Sequence, residues 1–216
     1  MKDFAIKNKD YKRIFETIYS TIKRQDEIDI TKSCINFSII GAMILQKHYK
    51  LDAKICMGMA SYCFDDMKCL TYGEQTKDQI KLSRNNFHAW IVVDNNHDGW
   101  IIDFSCPIFP LIIKKELNQE YKYHPTAFQR KISSMAQDGS ELKKRGDFYL
   151  YHDLDMTKKV VEKFTSRPYN TDTVSVCLKW YKKPHLNMKK NIDFIDTKTG
   201  YGRLTKESFR IVGNFE

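Results

Sequence analysis

No stretch of 18 or more apolar residues occurs in the 216-residue sequence, so no segment reads as a membrane-spanning helix. The opening Met1-Lys2-Asp3-Phe4 has neither the apolar core nor the small-residue cleavage site of a secretory signal, and the expectation is a cytoplasmic protein with no membrane partner. There is no C-x-x-C pair among the six cysteines. A chain of this length with ordinary aliphatic content does not need disulfide staples, so all six are expected as reduced thiols, most of them packed like small hydrophobes. Internal repeats, low-complexity tracts and a convincing linker are also absent. One domain spanning 1–216 is expected, with 107–216 as a C-terminal extension of it.

What is present fits a globular core: 42% hydrophobic and 13% aromatic residues, balanced by 29% charged ones. The net charge of +9 raises the question of nucleic acid. No stretch interleaves basic and aromatic residues for more than the four of Trp180-Tyr181-Lys182-Lys183. The excess is therefore read as lysine spread over solvated faces rather than as a nucleic-acid groove.

Residues 11–25 set Ile14, Phe15, Ile18 and Ile22 at helical spacing against Lys12, Arg13, Glu16 and Lys23, an amphipathic helix. A second helix begins near Thr31 or Ser33 and runs from Cys34 to Leu45. It is apolar almost all round, which marks a buried helix. Residues 53–64 read as a strand entering the core, and the polar stretch 65–86 as loop. Residues 87–93 and 100–105 are two strands joined by Asp94-Asn95-Asn96-His97-Asp98-Gly99, which is turn chemistry. Further on, 116–123, 125–135 and 156–164 suit helices and 148–151 a strand, while 174–180 fits either a strand or a helix capped by Asp172.

Three reactive side chains fall at informative places. Cys34 opens the buried helix, where unpaired N–H groups and the helix dipole favour a thiolate and can receive an oxyanion. If the hairpin turns between Asn95 and Asn96 without a bulge, Val92 faces Gly99, Trp90 faces Ile101 and His88 faces Asp103. Directly opposed Cβ atoms lie about 4.5–5.5 Å apart, within reach of an imidazole–carboxylate hydrogen bond. That carboxylate would orient the imidazole and leave its other nitrogen for the thiol. Trp90, on the same face as His88, lines a substrate channel or packs in the core. Each residue alone has a plain structural role: Cys34 as packing, His88 as a core histidine, Asp103 as a strand-end turn former. The same three with a water would also make a four-coordinate zinc site, although a carboxylate placed to hold the imidazole suits a triad better and no metal or cofactor is expected.

Ser33-Cys34 opening an apolar helix, the strand at 53–64, Phe87-His88-Ala89-Trp90-Ile91-Val92 and Gly99-Trp100-Ile101-Ile102-Asp103 together resemble the core of the transglutaminase-like cysteine enzymes. The resemblance covers about residues 31–105 and extends to a bacterial family of that group with His-x-Trp and Asp-Phe elements. It implies an α+β, papain-like fold, with an antiparallel sheet packed on the buried helix that carries the nucleophile. It also implies Cys34 as nucleophile, His88 as base and Asp103 as orienting acid. The implied function is acyl chemistry on a peptide, amide or ester, hydrolysis ahead of transfer. Ile30-Thr31-Lys32-Ser33 replaces the Arg-Gly-Gly approach of arylamine acetyltransferases, and Ile35-Asn36 the Trp-rich pattern of animal transglutaminases, so neither acetyl-CoA nor calcium-dependent crosslinking is implied. Gln25 is the one side chain suggested as oxyanion donor. The competing reading is a non-catalytic papain-like binding module whose basic surface engages an acidic partner.

Overall fold

The computed structural model describes residues 4–24, 28–75, 80–81, 86–94, 98–120, 125–184, 188–189, 191–196 and 205–210. Gln25 and the turn residues 95–97 lie outside these. Helix α1 (Asn8–Lys23) buries Ile14, Phe15, Ile18 and Ile22, the stripe its spacing dictates. Helix α2 (Cys34–Ile44) buries Phe37, Ile39, Ile40, Ala42 and Ile44. It continues through one wide turn to Tyr49 and stops at Lys50, whose left-handed backbone ends the helix.

Strand β1 (Ala53–Asp65) is the long central element. It is followed by β2 (Lys68–Tyr72), the short pair β3 (Glu74–Gln75) and β4 (Ile80–Lys81), then β5 (His88–Val93) and β6 (Trp100–Ile102). Helix α3 (Phe109–Leu117) comes next, then β7 (Gln129–Lys131), β8 (Phe148–His152), α4 (Leu154–Thr165) and α5 (Pro168–Trp180). A separate ribbon pairs β9 (Asn191–Asp196) with β10 (Thr205–Arg210). The main sheet is antiparallel throughout: β1 pairs with β2, β5 and β8, β5 with β6, and β6 with β7. The chain is thus α+β, with α2 seated on β5 and β1 and flanked by α1 and α5.

Two glycines allow this packing. A Cβ on Gly41 would lie 2.4 Å from the Phe104 ring, so only glycine lets α2 settle against the segment that follows β6. A Cβ on Gly58 would lie 2.0 Å from the Tyr151 carbonyl oxygen, where β1 carries His88 and His152 as simultaneous strand partners.

Several expectations need correcting. Residues 65–86 contain β2, which the polar sequence hides because only Leu70 of that strand is buried. The helix expected over 116–123 lies earlier, at α3, started by Pro110 in its first turn and stopped by Asn118 in the left-handed conformation. Where a helix was expected over 125–135, the chain forms β7 and a 3-10 turn, because Gln129 and Arg130 pair with β6. Residues 174–180 are helical, in a helix that Pro168 opens. Cys63 and Cys69, expected as free thiols, are joined by a disulfide. The β1–β2 register sets them directly opposite each other, a proximity that a separation of six in sequence does not reveal.

Gly58→Ala should be strongly destabilising, because the methyl group meets backbone that cannot rotate away. Overpacking of this kind costs about 1–3 kcal/mol or more. The expected result is a lower urea midpoint with an unchanged slope, and a midpoint equal to wild type would show that β1 and β8 do not approach as described.

Candidate active site

Asp103 follows directly on β6 and does two jobs with two oxygens. Oδ1 accepts from the Ser105 backbone N–H at 2.9 Å and from the Ser105 hydroxyl at 2.6 Å, closing a tight turn. Oδ2 lies 2.7 Å from His88 Nε2. The strand-end turn former and the histidine partner are therefore the same residue. The Tyr11 hydroxyl donates to the Asp103 carbonyl, and the Asp103 N–H donates to Phe128 O at 3.1 Å, so α1 and the chain before β7 both hold this residue in place.

The hairpin register differs from the expected one. Val93 pairs with Trp100, Val92 with Ile101 and Ile91 with Ile102. The shift is two residues, and side chains alternate with a period of two, so His88 and Asp103 stay on one face as diagonal neighbours. Both are fully buried.

His88 is packed as tightly as it is bonded. Tyr72 stacks on its ring at 4.6 Å, and Tyr62 and Phe109 meet it edge-on at 5.5 and 6.0 Å. Burial pushes the imidazolium towards losing its proton, but the Asp103 carboxylate and Cys34 outweigh it and raise the pKa to about 10. Burial likewise works to raise the Asp103 carboxyl, and His88 and Ser105 hold it below its ordinary value. The remaining ring nitrogen, Nδ1, is buried and makes no hydrogen bond of normal geometry among the described residues, although Cys34 is near enough to favour the charged imidazole.

Cys34 is the first residue of α2 and is half-buried. Ser33 occupies the N-cap position but does not cap, since its hydroxyl donates to Asp29 O at 2.9 Å. Among the described residues no side chain is recorded accepting from the N–H groups of the first turn. Cys34 and His88 line one cavity of about 580 Å³, together with Tyr72, Asn86, Phe87 and Ser105. The other free thiols are buried, unlike the half-buried Cys34. Burial raises Cys56 to about 11 and Cys177 to about 12, and lifts Cys106 well above its ordinary value.

Trp90 takes the core alternative. It is 2% exposed, packs edge-on to His152 at 6.4 Å, and is not among the residues lining the Cys34 cavity. Among the described residues no group of three His, Cys, Asp or Glu side chains is arranged to hold a metal ion, and both Asp103 oxygens are already engaged. The cavity does contain a polar group that sequence reasoning missed. Asn86 Oδ1 accepts from the Gly73 N–H at 3.0 Å, which fixes the amide so that Nδ2 remains a donor. Its only sequence signal is proximity to His88.

An α+β chain with an oriented imidazole beside a cysteine at a helix start is the class of protein defined by these elements. Residues 7–215 match a family described as proteins of unknown function, DUF2026, and the chain belongs to that family. It is also similar to a structural-genomics target solved by crystallography, with 26% sequence identity and a TM-score of 0.80, over 100% of this chain and 97% of that one. No curated protein matches it.

The His88–Asp103 pair makes stability depend on pH in a definite direction. His88 rises from 6.5 to about 10 on folding, so its contribution is complete below about pH 6.5 and is lost as pH climbs through about 10. Asp103 is lowered, so its contribution is present above about pH 4 and is lost as pH falls through its folded value. Between pH 6.5 and 10 the gap in unfolding free energy between wild type and Asp103→Asn should narrow. Urea titrations at several pH values measure it, and a constant gap would mean that the pair is not ionised.

Proposed function

We propose that the protein is a cysteine-dependent acyl-transfer enzyme with a papain-like, transglutaminase-like core, acting on peptides, amides or esters. The observation that carries this reading is the state of His88: Nε2 is bound to Asp103, while Nδ1 is buried, without a well-formed hydrogen bond and next to the cavity lined by Cys34. Buried polar atoms are as a rule hydrogen-bonded, and what sets His88 apart from His48, which also has a buried nitrogen without a partner, is its carboxylate partner together with the Cys34 cavity beside it.

In the reaction, the Cys34 sulfur attacks the substrate carbonyl as a thiolate, with the proton held on His88. The tetrahedral oxyanion accepts hydrogen bonds from the uncapped N–H groups at the start of α2 and from Asn86 Nδ2. Collapse breaks the bond to the leaving group, which takes the proton from His88 Nδ1, and a Cys34 thioester remains. Water then attacks the thioester, giving a proton to His88, and the carboxylic acid leaves as the thiolate re-forms. An amine in place of water would give transfer. Hydrolysis is placed ahead of transfer, with water as the acceptor. Asp103 keeps the imidazole oriented and compensates its charge throughout.

Exposure alone would let Cys34 label before the buried thiols, so the pH profile is the informative measurement. Iodoacetamide should modify Cys34 readily near pH 6, and His88→Ala and Asp103→Asn should move labelling to higher pH. In Asp103→Asn only Cys34 would still oppose burial, and His88 would hold its proton less firmly. Wild-type profiles in both variants would mean a reachable but unactivated cysteine, as in a binding module.

Asn86→Asp retains an acceptor for the Gly73 N–H and removes the donor. With a panel of peptides, amides and esters read by product mass, against Cys34→Ala as blank, turnover should fall by about 10²–10³ in Asn86→Asp, as on loss of other oxyanion donors. Full turnover in this variant would remove Asn86 from the mechanism.

A further inference from the structure

A second cavity, of about 470 Å³, adjoins the first, and Ile35 and Phe87 line both. Those two residues adjoin Cys34 and His88 in sequence, so the wall common to the two cavities lies next to the sulfur and the imidazole along the chain. The far side of the second cavity is built by α4. Met156, Val160 and Phe164 give it an apolar floor at helical spacing. Lys159, Lys163 and Arg167 rise beside that floor, also at successive intervals of four. These three cations have no ion-pair partner among the described residues.

Two carboxylates line the cavity as well, and their positions give it a direction. Asp153 is committed to the helix, accepting from the Met156 N–H at 2.8 Å, and Asp155 lies in the first turn of α4. Lys163 follows Asp155 by eight residues, about 12 Å along the helix. The cavity is thus acidic where α4 begins and basic where it ends, with apolar surface between. An apolar group alone would leave the cations without use. An anion alone would not use the floor formed by Val160 and Phe164.

We infer that this cavity is a subsite for a carboxylate carried on an apolar arm, and that, if Cys34 acts as proposed above, the arm belongs to its acyl substrate. Lys163 and Arg167 pair with the carboxylate, and Met156, Val160 and Phe164 cover the arm. The carbonyl to be attacked lies on the other side of Ile35 and Phe87. The substrate is then an amide or ester whose non-reacting end is anionic.

Binding can be measured without catalysis. Cys34→Ala protein is titrated calorimetrically at low salt with 4-phenylbutyrate and with its neutral amide. The carboxylate should bind at least about tenfold more tightly, a preference that charge-assisted hydrogen bonds supply. It should be lost in Lys163→Gln/Arg167→Gln, whose exposed positions leave the melting temperature unchanged, and should weaken as salt is added. Equal affinity for acid and amide, no saturable binding, or an unaffected double variant would overturn the subsite. Wild-type protein is then assayed with phenyl esters whose arms end in carboxylate or carboxamide. Selective binding of the acid without hydrolysis of either ester supports the subsite and refutes the catalytic reading. Hydrolysis of both esters at equal rates supports the catalytic reading and refutes the subsite.

Discussion

The rest of the site depends on one buried contact, the 2.7 Å bond between His88 and Asp103. Two ionised groups taken fully out of water lose solvation worth several kcal/mol each, and their attraction offsets this only when the geometry is good and the remaining polar atoms are satisfied. The surroundings meet that condition on the carboxylate side. Ser105 saturates the second Asp103 oxygen, and Tyr11 and Phe128 fix its backbone from two directions. On the histidine side the condition is left unmet at one atom. Nδ1 lacks a well-formed hydrogen bond, while Tyr62, Tyr72 and Phe109 surround the ring and keep it from turning. A rigid, buried ring with one nitrogen lacking a well-formed hydrogen bond needs a partner for that nitrogen, and the cavity shared with Cys34 is where one can come from.

How far this was legible in the sequence varied with the physical signal. The stripes of α1 and α2 and the strands β1, β5 and β6 read clearly because each has a periodic apolar pattern tied to a large buried area. The candidate residues Cys34, His88 and Asp103 were singled out by helix start and strand parity, and the fold brings His88 and Asp103 into contact and puts Cys34 and His88 on one cavity. The hairpin shows why parity mattered more than register. Val93 pairs with Trp100, not in the register that a turn between Asn95 and Asn96 would set, and a two-residue error moved the expected contact from directly opposite to diagonal without changing its face. A one-residue error would have put His88 and Asp103 on opposite sides of the sheet.

What could not be read rests on tertiary partners. Strand β2 has one buried side chain and owes its existence to the free edge of β1; β7 likewise forms because β6 offers an edge. Trp90 shares a face with His88, but alternation identifies only the face. Whether that face is core or channel at a given height depends on His152 and the neighbouring strands. The Cys63–Cys69 link depends on a hairpin that composition concealed. Asn86 was invisible because its position as a donor follows from a hydrogen bond to Gly73, thirteen residues away.

On the proposed reading, the placement of Cys34 and His88 in the same cavity divides two conflicting demands between two elements. A general base strengthened by a carboxylate works best without water, where the Coulomb attraction is strong. A nucleophile has to be reachable. His88 and Asp103 accordingly lie on the sheet, fully buried, and Cys34 sits at the end of a helix, half-buried at the cavity edge. Helix α2 can serve both because its own body is anchored in the core by Phe37, Ile40 and Ile44, and because Gly41 allows it to press against Phe104, the residue next to Asp103. The tight packing at the middle of the helix therefore sets the distance between sulfur and imidazole at its end. Small volume changes at Gly41 or Phe104 would thus be felt at the site as well as in stability, since a well-packed interior passes such displacements on rather than absorbing them.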